Sequence, residues 1–530
     1  MKKIYFLFIV LLSLQAYSQT PIIASIEYQG YEETQAYFGE GEYQIFLDNV
    51  DGVLDKPIII IDGFDPGDGR DITMLYEALN FGDDNLADIL RAEGFDFIAL
   101  NAPLYTTDGK DIDGGGDYIQ RNAMVLVELI ELINSQKVGD EELVIIGPSM
   151  GGLIARYGLT YMEQNSLDHD TRLYISFDSP HLGANIPVSF QYLLNYFAKD
   201  QDNAEAQQVV DNVLNSPAAK EMLIDHYSAH LAAGSDFEQD PNLLLPNGAP
   251  GFRDAFQSEL DNLGFPQNVR NVSMINGSGE GMTTGTPGMQ MINTTLDLGN
   301  NVTADLILHF APDASETINV TSFTAYFVGI PVSNFEADAE SYSFSDGLDS
   351  SPGGMGDITS GLEDLNNPLI DAFLADLEQE AYSFIPTISS LAISVEDDWY
   401  AIPNLNNSPF ANVYIPAENE EHVTITQGNA DFALFEIRQE PLGISDNEFA
   451  NKYFLARNPV SEQILLKLND AHNYYNVELS VYNTSGQLVI SEKLQNPTNV
   501  ISINQNLNAG IYILNIIDSE TSYNVKIIVQ

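Results

Sequence analysis

Short, nearly continuous apolar runs recur through the first part of the chain. Residues 57–61 (Pro-Ile-Ile-Ile-Ile), 95–100, 143–147 and 172–177 have the pattern of strands buried on both faces. Between them, 72–79, 85–93, 118–135 and 150–162 carry apolar residues at helical spacing. Strands alternating with helices predict a mostly parallel sheet covered by helices on both faces, an α/β fold. Two alternating stretches in 25–49 predict an antiparallel strand pair ahead of it. Residues 185–262 are helical and loop-rich with no strong strand, and 269–275 resumes the sheet. The alternation across 294–327 predicts an antiparallel β insertion. Loops are expected at 345–354 and 380–390, and a helix at about 430–437. The pattern changes after about Gly443. Residues 453–530 are short alternating runs separated by Asn, Gly and Ser, which predict a small β-sandwich joined by a linker at 441–452.

A length of 530 residues leaves room for more than one domain, and a hydrophobic share of 44% suits packed cores rather than disorder. The net charge of −57 excludes binding to nucleic-acid phosphates and implies either a heavily hydrated surface or divalent-cation binding. The chain has no cysteine, which excludes disulfides, a thiol nucleophile and cysteine metal sites. Met1-Lys2-Lys3, the apolar run 4–14 and Ala16-Tyr17-Ser18 form a secretory signal peptide, 1–18, too short to span a bilayer. No cysteine follows it, so it is not a lipoprotein signal, and no other stretch reads as a transmembrane helix. The acidic, Gly-rich segment 108–117 resembles a calcium loop but fails the EF-hand spacing. It is expected to be a flexible loop near the site.

The chemistry centres on Gly147-Pro148-Ser149-Met150-Gly151, a G-x-S-x-G between a predicted strand and a predicted helix. In that context the motif makes a nucleophile elbow: a sharp turn that exposes the Ser149 hydroxyl and aims the Met150 amide at the same spot. A nucleophilic serine needs a base to take its proton and an acid to orient that base.

The catalytic region, 19–440, resembles secreted α/β-hydrolase lipases and esterases of Bacteroidetes. The resemblance is carried by Asp62-Gly-Phe-Asp-Pro66, Gly147-Pro-Ser-Met-Gly-Gly-Leu153, Ser179-Pro-His-Leu-Gly-Ala184 and the block around Glu421-His422-Val423. It implies that 185–262 is a cap over the site. It also implies that the Phe64 amide completes an oxyanion hole with Met150, although Asp62-Gly63 stands where the family has His-Gly. His181, in the Ser-Pro-His-Leu-Gly segment, is implied to be structural. The family order of nucleophile, acid, base, together with position along the chain, leaves His422 as the base among seven histidines. The acid is expected between 275 and 422. Asp349 is the first choice, with Asp346 and Asp357 as alternatives.

Asn458-Pro-Val460, Val481-Tyr-Asn-Thr-Ser-Gly486, Leu507-Asn-Ala-Gly510 and the terminal Lys526-Ile-Ile-Val529 resemble the C-terminal sorting domain of type IX secretion. That likeness implies outer-membrane export to the cell surface or beyond, with the secretion machinery as a partner. The resulting expectation is a secreted serine carboxylic-ester hydrolase, lipase- or esterase-like, acting through an acyl-enzyme without a cofactor. Its substrate would be an ester, with lipids and polyesters as candidates. A polyester depolymerase, an amidase or peptidase, and a surface-displayed binding protein without turnover are the alternatives.

Overall fold

The structure is a computed structural model that describes residues 19–344, 347–359, 368–396, 398–439, 452–455, 460, 463–468, 474–483, 487–497, 500–518 and 521–529. The expected signal peptide 1–18, the candidate acid Asp346 and residues 441–451 of the expected linker lie outside the described residues. Contacts divide the chain into two units, Met1–Ile437 and Arg438–Gln530.

The first unit is built on an eight-stranded sheet. Its strands are β1 (Thr20–Tyr28), β2 (Tyr37–Phe46), β3 (Pro57–Ile61), β4 (Asp96–Asn101), β5 (Leu143–Pro148), β6 (Thr171–Phe177), β7 (Arg270–Met274) and β8 (Asn412–Tyr414). The spatial order is β1-β2-β4-β3-β5-β6-β7-β8. β1 and β2 are antiparallel, and from β4 onward every pairing is parallel. Strand alternation splits the core into two layers. Ile59, Ile61 and Ile145 face one side with helices α3 (Ile119–Gln136) and α4 (Met150–Gln164). Ile58, Ile60 and Ile146 face the other with α1 (Ile72–Glu77) and α2 (Leu86–Ala92). Fully buried strands of this kind are why the apolar runs are continuous rather than alternating.

Helices at Val188–Lys199, Ala204–Val209, Pro217–Met222 and Arg253–Leu263 occupy the segment between β6 and β7. Between β7 and β8 lies a four-stranded antiparallel sheet of Gln290–Gly299, Val302–His309, Thr317–Phe327 and Ile330–Glu340. The two expected loops at 345–354 and 380–390 contribute instead to a strand pair, Gly353–Asp357 with Ala381–Pro386. The Gly-rich segment after β4 also differs from the expected flexible loop. It is a hairpin of Leu104–Thr107 with Lys110–Asp113, followed by three buried glycines. A Cβ on Gly115 would lie 2.1 Å from the Asp65 carbonyl oxygen, so close backbone packing and not mobility is what the glycines serve there.

In the second unit the strand pairings among the described residues are antiparallel, with one isolated parallel bridge between Val460 and Val529. One sheet holds Tyr453–Leu455, Gln463–Leu468 and Val500–Asn504; the other holds Asn476–Asn483, Leu488–Gln495, Gly510–Asp518 and Thr521–Val529. Ile464, Leu466 and Ile503 from the first share a core with Leu479, Val481, Leu514 and Ile527 from the second, the arrangement of a β-sandwich.

Candidate active site

The elbow forms where β5 passes into α4. Ser149 has φ +51° and ψ −129°, a conformation that costs a non-glycine residue about 1–3 kcal/mol. The turn persists because its neighbours leave no alternative. The Ser149 amide donates to the Phe177 carbonyl at 2.8 Å, extending the β5–β6 pairing by one residue. Neighbouring segments pack closely against the two glycines on the other side. A Cβ on Gly147 would lie 2.5 Å from the Gly152 Cα, and one on Gly152 would lie 1.9 Å from the Ser179 Oγ.

His422 lies in the loop between β8 and the helix Gln427–Arg438. Its Nε2 is 2.9 Å from the Ser149 Oγ, and its Nδ1 is 2.7 Å from the Asp178 Oδ2. The carboxylate fixes the proton on Nδ1, which leaves Nε2 as the acceptor facing the serine hydroxyl. Its backbone amide donates to the Met355 carbonyl at 2.9 Å, and the Met355 amide donates to the Glu420 carbonyl at 2.9 Å. The strand pair between β7 and β8 therefore carries the histidine loop. From the same pair, the Phe384 ring stands edge-on to the imidazole at 4.8 Å and 85°.

The acid partner is a correction to the sequence expectation. Asp349 is buried away from His422. Its Oδ1 accepts from Asn185 Nδ2 at 2.9 Å and its Oδ2 from the Ala311 amide at 2.7 Å. Burial pushes its carboxyl up to about 6, against the pull of those two donors. Asp357 ends the strand Gly353–Asp357 and is exposed. The residue that meets His422 is Asp178, the first after β6, fully buried and with φ +44°. Its amide donates to the Met274 carbonyl at 2.8 Å. Its Oδ1 accepts from the Asn276 amide at 3.2 Å and the Ser390 Oγ at 3.0 Å. A Cβ at Gly354 would sit 2.0 Å from its Oδ2, so only glycine leaves the carboxylate its place. A signal for Asp178 was present in the sequence: an aspartate that ends the apolar run next after the elbow strand.

Met150 opens α4, so its amide has no partner within the helix. Phe64 belongs to the turn after β3 and lines the same cavity as Ser149. That turn is held by Asp62 and Arg70. Asp62 Oδ1 accepts from the Gly63 amide at 2.7 Å and lies 3.0 Å from Arg70 Nη2. Arg70 Nη2 also donates to the Phe64 carbonyl at 2.9 Å. Burial raises the Asp62 carboxyl to about 6, with the Arg70 charge opposing it. The Asp-Gly in place of His-Gly thus anchors the turn through an ion pair. His181 is enclosed between Phe265 and Phe410, with Nε2 2.8 Å from the Ser176 Oγ. Burial, with help from Arg156, holds its pKa well below the usual histidine value, so it stays neutral and structural.

Two family models match this chain. Residues 57–227 match the PGAP1-like alpha/beta domain, and residues 458–530 match the secretion system C-terminal sorting domain. The chain has the α/β-hydrolase fold and ends in a secretion sorting domain. The hydrolase match runs from β3 through β5, α4 and β6, the segment that holds Ser149 and Asp178. The tail marks the hydrolase for export by type IX secretion. No curated protein matches the hydrolase in sequence. Solved structures with similarity include Est1E from Butyrivibrio proteoclasticus, at 11% identity over 44% of this chain and 74% of that one, with a TM-score of 0.24. The Bacillus licheniformis lipase BlEst2 in propeptide form is 10% identical over 92% of this chain and 96% of that one, with a TM-score of 0.30. A single-site mutant of the rice cell wall degrading esterase LipA from Xanthomonas oryzae is 13% identical over 49% of this chain and 74% of that one, with a TM-score of 0.27. Among the described residues, no helix of the hydrolase is long and apolar enough to cross a membrane.

Proposed function

We propose that the protein is an exported serine hydrolase of carboxylic esters that works through an acyl-enzyme on a Ser149–His422–Asp178 triad. The observation that carries this reading is the relay of two short hydrogen bonds, Ser149 Oγ to His422 Nε2 and His422 Nδ1 to Asp178 Oδ2, at the wall of an apolar cavity. Ser149 Oγ attacks the ester carbonyl carbon while His422 Nε2 takes the hydroxyl proton. The amides of Phe64 and Met150 stabilise the oxyanion; one such donor contributes about 3–4 kcal/mol. His422 returns the proton to the departing alcohol. Water then repeats the sequence on the acyl-enzyme and releases the acid. The Asp178 carboxylate, held against Nδ1, balances the imidazolium charge. Before this chemistry the signal segment 1–18 is removed on export, and the sandwich unit addresses the protein to the type IX machinery.

Hydrolysis of p-nitrophenyl acetate and butyrate by the purified mature chain tests the reading, with the Ser149→Ala variant beside it. Turnover that the variant loses by about 10⁵-fold or more supports the triad. Turnover that survives in the variant, or none from a folded wild type, removes it.

A further inference from the structure

Ser149 stands between two apolar compartments of unequal size. Ser149, Phe64 and Phe384 belong to the walls of both. The larger, about 240 Å³, runs beneath α1 among Leu75, Ala78, Leu79, Leu86 and Met274, and the His422 ring forms part of its wall. The smaller, about 40 Å³, lies against the helical segment after β6, among Ala184, Ile186, Ala219, Met222 and Leu223. His422 does not line it.

Proton transfer decides which half of an ester goes where. Attack by Ser149 Oγ moves the hydroxyl proton to His422 Nε2. When the tetrahedral adduct collapses, the bond from the carbonyl carbon to the alkoxy oxygen breaks, its electron pair goes to that oxygen, and the Nε2 proton joins it. The alkoxy oxygen must therefore lie on the histidine side of the serine. The acyl chain leaves the same carbon in another direction, toward the wall without the histidine. Apart from Ser149 and His422 in its wall, the larger compartment is apolar except for Asp62 and Arg70, which are bonded to each other, so it offers little to a sugar or a charged group. We infer that the larger compartment holds the alcohol half and the smaller one the acyl half, which makes the substrate class short-chain acyl esters of longer apolar alcohols. The assignment rests on the ester-hydrolase reading above.

Two ester series followed by pH-stat titration test it on the mature chain: acetates of ethanol to hexanol, and ethyl esters of acetate to hexanoate. Each methylene buried in the transition state raises kcat/KM by about fourfold. Hexyl acetate is therefore expected to exceed ethyl acetate by tenfold or more, while ethyl hexanoate gains nothing. Ala78 is exposed at the end of α1, a place that tolerates a larger side chain. Ala78→Trp narrows the larger compartment and is expected to lower the hexyl-to-ethyl acetate ratio about tenfold, with no change in the hexanoate-to-acetate ratio. Leu223→Ala is expected to raise the hexanoate-to-acetate ratio alone. A rising acyl series with a flat alcohol series, or an Ala78→Trp effect on the acyl series, overturns the assignment and leaves ester hydrolysis standing. Because both wild-type series give ratios, a variant that fails to fold does not rescue it. Wild-type protein that hydrolyses no ester in a Ser149-dependent way overturns the function reading itself.

Discussion

Replacing Asp178 with asparagine keeps the shape of the site and changes one proton. The residue has φ +44°, a region where asparagine is at ease, so the backbone accepts the change. The side-chain oxygen is already committed, since the Asn276 amide and the Ser390 hydroxyl both donate to Oδ1. The new NH₂ group must then take the Oδ2 place, 2.7 Å from His422 Nδ1. Flipping the amide would leave two donors without an acceptor in a buried site, at a cost of about 1–3 kcal/mol each. With NH₂ donating to Nδ1, the imidazole carries its proton on Nε2 and points a donor at Ser149. It can no longer accept the serine proton. Loss of the right tautomer in a triad lowers kcat by about 10⁴-fold, or roughly 5 kcal/mol of transition-state stabilisation. The assay is kcat on p-nitrophenyl acetate at saturation, with far-UV circular dichroism and thermal unfolding to confirm a native fold. Asp349→Asn serves as comparator and is expected to stay within about threefold of wild type. A kcat in Asp178→Asn above a tenth of wild type, or an equal collapse in Asp349→Asn, would refute the reasoning.

Two further outcomes follow from the buried groups and the elbow. The Asp349 carboxyl is raised from 3.8 to about 6, so the folded chain holds that proton more tightly than the unfolded chain. Its contribution to stability is then full below about pH 3.8 and falls away as pH rises through about 6, by roughly 3 kcal/mol at 1.36 kcal/mol per unit. Urea midpoints at pH 4.5 and 7 are expected to show a shallower pH dependence in Asp349→Asn than in wild type, and parallel curves would disprove it. Ser149→Gly removes the backbone strain along with the nucleophile, so it is expected to raise unfolding free energy by about 1–3 kcal/mol while abolishing turnover. A melting temperature equal to that of Ser149→Ala would show that no strain is stored there.

Most of the main sheet was legible because strands buried on both faces announce themselves as short apolar runs, as 57–61 and 143–147 do. Ser149 was legible for a related reason, since a strand, a glycine-flanked serine and a helix in direct succession leave few other geometries. His422 came from elimination, and its spatial neighbours could not be read from sequence because they lie far away in the chain. Asp178 was passed over for a physical reason. It directly follows the strand after the elbow and precedes Ser179-Pro180, so it reads as the end of a strand and the start of a turn. Nothing local says that its neighbour in space is a loop 244 residues later. Asp349 attracted attention as an acidic residue in a Gly-rich stretch, but the glycines there serve packing: a Cβ on Gly347 would lie 2.2 Å from the Ala311 carbonyl oxygen. The strand pair of 353–357 and 381–386 was hidden because its first strand, Gly-Gly-Met-Gly-Asp, has almost no strand propensity. Contact with Asp178 and the histidine loop holds it extended instead.

The way His422 is held has a consequence for time rather than for geometry. Pairing of Pro148 with Phe177 sets Ser149 and Asp178 side by side as soon as two neighbouring parallel strands zip together. His422 arrives from 273 residues beyond the serine, on a loop whose backbone is tied to Met355 in an insertion of its own. Contacts that close such long loops form late. The expected order is therefore β5 beside β6 first, with Ser149 and Asp178 in place, and the His422 loop last, together with β8 and the strand pair. In refolding, recovery of esterase activity is expected to lag behind recovery of the far-UV circular dichroism signal, and simultaneous recovery would refute that order.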